Sequence, residues 1–75
     1  MSPLWILTAH ARRRMWERGI SESHLADAFL TPHKVVAGRG TARKMLSKAA
    51  GRQLAVVFVE EAGGLARIIT AYWLE

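Results

Sequence analysis

The sequence has no cysteine, only two prolines and one tyrosine, and only six acidic residues among 75. Without cysteine there is no disulfide to staple a small chain and no thiolate for nucleophilic or zinc chemistry. The three histidines, His10, His24 and His33, show no ligand spacing on any one element, so neither a metal site nor a cofactor is expected. Long apolar runs are also missing. The longest, 4–7 and 54–59, fall far short of the roughly 18 residues that a membrane span needs. The first is also too short for a signal-peptide core. These absences lead to the expectation of a soluble cytoplasmic protein with no membrane partner. No Ser-His-Asp, Cys-His or paired-carboxylate arrangement is visible. Gly38-Arg39-Gly40 lacks the lysine and the following helix of a phosphate-binding loop.

Apolar residues make up 51% of the chain, enough for a packed core and too many for a disordered one. One domain over 1–75 is expected, burying only about 60% of its unfolded surface and holding ~5 kcal/mol of stability. Charge is unevenly distributed. Residues 1–48 carry nine Lys and Arg against three acidic residues, a net of +6, while 49–75 carry two against three, a net of −1. Arginines outnumber lysines eight to three. The planar guanidinium grips phosphate oxygens in a way a lysine does not, so a polyanion is the first partner to consider.

Local signals divide the chain. Residues 1–7 form a stub strand or a packing arm. Thr8 is a helix N-cap, and Ala9–Arg18 follows as a helix. Gly19 ends it in the left-handed conformation, with Ile20 then in reach of Met15. Ser21 caps a second helix over Glu22–Leu30, and the Ile20–Leu25 spacing is that of a hydrophobic staple. Thr31-Pro32 stops it, because the residue before proline avoids the helical region. Strands are expected from Val35-Val36, over Thr41–Lys48, over Leu54–Val59 and over Arg67–Trp73. Turns fall at Ala49–Arg52 and at Gly63-Gly64. The continuous apolar run Leu54–Val59 predicts a central strand covered on both faces. Strict alternation would put Ile69, Ala71 and Trp73 on one face of the last strand, and Ile68, Thr70 and Tyr72 on the other. The fold class is α+β: two N-terminal helices packed on a three- to four-stranded antiparallel sheet.

Three groups could carry chemistry. His10, Arg14 and Arg18 recur every four residues and form one stripe on the first helix. Histidine can move a proton near neutral pH, and arginine can stabilise charge on a phosphate. A solvated basic helix face is the plainer explanation. Thr70 and Tyr72 share a face of the last strand, where tyrosine can stack on a base; ordinary strand formers would look the same. On Thr41–Lys48, Arg43 and Lys44 point to opposite faces, and the sequence leaves open which face meets the helices. If Arg43 joins Thr70 and Tyr72, the sheet presents a basic, aromatic-bearing platform.

Thr8-Ala9-His10-Ala11-x-x-Arg14-x-x-x-Arg18-Gly19-Ile20, followed by a second helix ending at Pro32 and by Val35-Val36, resembles a family of small bacterial domains of unknown function. That family resembles the RelE- and BrnT-like toxins, whose sheet-and-helix fold is shared with barnase-type ribonucleases. The resemblance covers about residues 6–73. It implies a metal-independent endoribonuclease, often made beside an antitoxin protein. It also implies that His10 and Arg14 sit beside a sheet face bearing Arg43, Thr70 and Tyr72. In that scheme His10 transfers the proton, Arg14 and Arg43 hold the phosphate, Tyr72 stacks or acts as a weak acid, and Thr70 orients the phosphate. Arg12, Arg13, Arg18, Lys44 and Lys48 supply backbone attraction for RNA. The alternative is a non-catalytic basic adaptor binding nucleic acid or an acidic partner protein. A third is an interaction domain that homodimerises through exposed tryptophans and a sheet edge.

Overall fold

A computed structural model describes residues 5–31 and 33–74; residues 1–4, Pro32 and Glu75 lie outside the described residues. The chain runs β1 (Trp5–Leu7), α1 (Ala9–Glu17), α2 (Glu22–Leu30), β2 (Lys34–Ala37), β3 (Arg43–Ala49), β4 (Arg52–Glu60), a single 3-10 turn (Ala62–Gly64) and β5 (Ala66–Trp73). The class is α+β, with five strands in the order β1-β5-β4-β3-β2. The short N-terminal segment is thus a stub strand. It pairs parallel to β5, so the sheet is mixed instead of purely antiparallel.

The helix ends follow from single residues. The Thr8 hydroxyl accepts from the Ala11 amide at 3.0 Å and itself donates to the Ile68 carbonyl at 2.9 Å, which ties the start of α1 to β5. Gly19, at φ +68, closes α1. The Ile20 amide donates to Met15 O at 2.8 Å and the Gly19 amide to Trp16 O at 3.3 Å, the paired bonds of a Schellman motif. Ser21 and His24 then form a capping box: the Ser21 amide donates to His24 Nδ1 at 2.9 Å, and the His24 amide donates to Ser21 Oγ at 3.2 Å. Thr31 is extended, with φ −85 and ψ 143, as a residue preceding proline should be.

Both helices lie on one face of the sheet. Ala11, Met15, Ile20, Leu25 and Ala28 pack against Met45, Ala49, Leu54, Val56, Phe58, Ile68 and Ala71. Trp5 stacks on Phe29 at 5.3 Å and closes one end of this core. The buried Ser47 hydroxyl donates to the Ala28 carbonyl at 2.7 Å, so it is not left unpaired. Asp27 Oδ2 accepts from the Ala50 amide at 3.0 Å, pinning α2 to the β3–β4 hairpin. Among the described residues, no helix is long and apolar enough to cross a membrane.

Two expectations about the sheet need correction. Opposite Val57 and Phe58 of β4 stand Thr70 and Ile68, so Ile69 is bulged out. The bulge breaks the alternation, and Ile68 joins Ala71 and Trp73 on the helix side. β4 is central, but the helices cover only one of its faces. Leu54, Ala55 and Val56 are wholly buried, whereas Val57 and Val59 are only half-buried on the open side.

Candidate functional site

The strand registers settle what each face carries. One row across the sheet is Ala37, Arg43, Phe58, Ile68 and Leu7; Phe58 and Ile68 belong to the core, so Arg43 is on the helix side. The next row is Val36, Lys44, Val57 and Thr70, and the following row on that same side, two residues on, is Lys34, Leu46, Ala55 and Tyr72. These two rows, with Lys48 beside Gln53 and with the row of Val59, Arg67 and Ile6 at the other end, form the open face. None of these strand positions is acidic, although the Glu61 carboxylate reaches Arg67 at one end of the face at 2.9 Å. The face is a half-apolar floor crossed by lysines.

Tyr72 is the focus of this face. The Arg18 guanidinium and the Lys44 ammonium each stand 5.9 Å from its ring centroid, at the outer range of cation–π attraction. Arg18 arrives from the end of α1, where its Nη1 donates to Thr70 Oγ1 at 3.1 Å and to the Ala71 carbonyl at 2.8 Å. Lys44 arrives from β3, two strands away. It meets Tyr72 over Ala55 and Val57 of the intervening strand, and the small Ala55 keeps that path low. Three carboxylates among the described residues are paired with other cations. Glu17 pairs with Arg13 and Arg14 at 3.4 and 3.2 Å, Glu60 with Arg43 at 4.0 Å, and Glu61 with Arg67 at 2.9 Å. Two cations and a phenol converge where none of the neighbouring described strand positions is acidic, an arrangement that favours an anion attached to an aromatic.

The sequence-derived site residues divide. Thr70, Tyr72, Arg18 and Lys44 come together on the open face. Arg43 does not share it; its one-residue offset from Lys44 puts it on the other side of the sheet. His10 is exposed near the start of α1, at the end tied to Ile68. It stands eight residues from Arg18, about 12 Å along the helix axis. Arg14 turns to Glu17, not to Thr70 or Tyr72. Arg12 lines a small groove with Trp16 and Glu22, Arg13 is exposed on Glu17, and Lys48 is exposed beside Gln53.

One functional candidate escaped the sequence analysis. Arg39, in the β2–β3 connection, stands with Gly38, Lys44, Val57, Ile69 and Tyr72 around a depression of about 470 Å³. An arginine between two glycines signals a turn; nothing local says that the turn borders a cavity. Among the described residues, no group of three His, Cys, Asp or Glu stands close enough to hold a metal ion. A family model described as "Domain of unknown function (DUF4258)" matches residues 7–73. No curated protein and no solved structure gives a significant match.

Proposed function

This chain belongs to the DUF4258 family of domains, and from its own residues we propose that it binds single-stranded RNA across the open face of the sheet. The observation that carries this reading is Tyr72 with both Arg18 and Lys44 5.9 Å from its ring, beside strand positions that are not acidic. A base stacks on the phenol ring, and the phosphates on either side of it meet the two cations. Unpaired bases suit such a face, because only an unstacked base offers both its ring and its flanking phosphates to a flat aromatic. Lys34 and Lys48 extend the attraction along the face. With RNA as ligand, the cytoplasm is the compartment this reading implies.

Cleavage of the bound strand, as in a toxin-type endoribonuclease that uses no metal, is the second reading. It is favoured by the hydroxyls of Thr70 and Tyr72 lying with two cations. In such a step the ribose 2′-oxygen attacks phosphorus, its proton passes to a base, and the departing 5′-oxygen receives a proton. Arg18 and Lys44 stabilise the added negative charge on phosphorus. The Tyr72 phenol is the proton carrier at hand there, and His10 stands at the far end of α1. An antitoxin or other acidic protein competing for this face, and a homodimer, are further proposals of this reading.

Amide chemical shifts recorded while a uniform single-stranded RNA is titrated test the binding reading. Shifts concentrated at Lys44, Thr70 and Tyr72 support it. Shifts confined to α1, or saturation only by an acidic peptide, contradict it. Incubation with RNA in EDTA tests cleavage: cutting by wild type that Tyr72→Phe loses and His10→Ala keeps supports the second reading.

A further inference from the structure

The depression beside Tyr72 has a volume of about 470 Å³. That volume lies within the roughly 300–1,000 Å³ usual for small-ligand sites. Its floor is apolar, made by Val57 and the bulged Ile69. One wall is the Tyr72 ring, the opposite wall is the β2–β3 connection at Gly38 and Arg39, and Lys44 stands on the rim.

That connecting wall is fixed before any ligand arrives. The Gly38 amide donates to Ala42 O at 2.9 Å, and the Ala42 amide donates to Arg39 O at 2.9 Å. A Cβ on Gly38 would lie 3.0 Å from Ala42 O, so any other residue would push the wall open slightly. The bulge at Ile69 has a matching role. It inserts an extra apolar side chain into the floor without displacing Tyr72 from its row.

From this juxtaposition we infer that the depression is a single-nucleotide slot: Tyr72, Val57 and Ile69 receive one base, and Arg39 and Lys44 bind the phosphate attached to it. This rests on the RNA reading above and adds to it a discrete subsite. An apolar floor with an aromatic wall suits a planar base, and paired cations suit its phosphate. Neither half of the slot is built for inorganic phosphate or for an alkyl chain alone. A strand crossing the open face would drop one nucleotide into the slot.

The test uses the full chain, with nucleoside 5′-monophosphates, the matching nucleosides and inorganic phosphate titrated separately, beside a single-stranded RNA of about ten nucleotides. At least one nucleoside monophosphate should bind roughly tenfold or more tighter than inorganic phosphate, because stacking on an aromatic adds to the phosphate contact. Its shifts should centre on Val57, Ile69 and Tyr72. Ile69→Trp fills the floor and should abolish nucleotide binding. Arg39→Glu, at an exposed turn residue, should weaken the monophosphate and spare the nucleoside, and it covers the case in which Ile69→Trp does not fold. RNA that binds while no mononucleotide does, or while phosphate alone binds as well as the nucleotide, overturns the slot and leaves the RNA reading standing. If neither RNA nor nucleotide binds, both fall.

Discussion

The indole of Trp73 donates to the carbonyl of Arg18 at 2.9 Å, while the Arg18 guanidinium donates back to the same strand, to the Ala71 carbonyl at 2.8 Å. The two residues clasp the end of α1 to the stretch of β5 that β1 is too short to pair. The clasp also aims Arg18 at Thr70 and Tyr72. One arginine therefore finishes the fold and furnishes the site.

Arg18→Lys separates those roles. Lysine keeps the charge and loses the fork that reaches both Thr70 and Ala71. The Trp73 bond goes to the backbone of residue 18, so it survives any substitution there. Thermal unfolding should show Arg18→Lys and Arg18→Ala both destabilised, by about 1 kcal/mol, or about 4–8 °C in a domain of this size. RNA affinity should fall further for Arg18→Ala than for Arg18→Lys.

Gly19→Ala isolates a backbone term. Nothing lies within 4 Å of where its Cβ would be, and φ is +68. Strain in the left-handed region is then the whole cost, about 1 kcal/mol. A melting temperature several degrees lower with unchanged RNA affinity is expected; an unchanged melt would mean the Schellman closure is not what ends α1.

Ala50→Asn should go the other way. Ala50 sits at φ 52 before Gly51 at φ 75, in the two-residue β3–β4 hairpin where Asn-Gly is favoured. Asparagine tolerates that conformation better than alanine, and the backbone amide that Asp27 holds is retained. A gain of about 0.5–1 kcal/mol in denaturant unfolding is expected.

What could be seen in the sequence was what local chemistry decides. Thr8, Gly19 and Ser21 mark helix ends because caps and left-handed closures act within a few residues of themselves. The sheet's long-range choices could not be seen. Whether Arg43 or Lys44 joins Tyr72 is a one-residue matter of register, fixed by pairing with β4 and not by the strand's own pattern. The bulge at Ile69 arises from the same pairing, and it reverses the alternation that Arg67–Trp73 suggests. Parallel pairing of β1 with β5 joins segments about sixty residues apart. Of the His10–Arg14–Arg18 stripe, only Arg18 reaches the sheet site, because a stripe running the length of a helix meets a strand at one end.

Salt should weaken RNA binding steeply. If four to six phosphates are contacted, log affinity should fall against log salt with a slope of roughly −3 to −4 for a single strand. Lys48→Ala should flatten that slope by less than about one. A flat response would remove electrostatics, and with it the polyanion reading.

The most direct measurement is the affinity for one single-stranded RNA, at one salt concentration, of wild type, Tyr72→Ala and His10→Ala. Base stacking on an aromatic contributes about 1–3 kcal/mol, so Tyr72→Ala should bind about ten- to a hundredfold more weakly. His10→Ala should bind within about twofold of wild type, since residue 10 stands about 12 Å along the axis of α1 from Arg18. The opposite ranking, or a Tyr72→Ala variant that is folded and binds RNA as wild type does, would contradict the assignment of the open sheet face as the RNA surface.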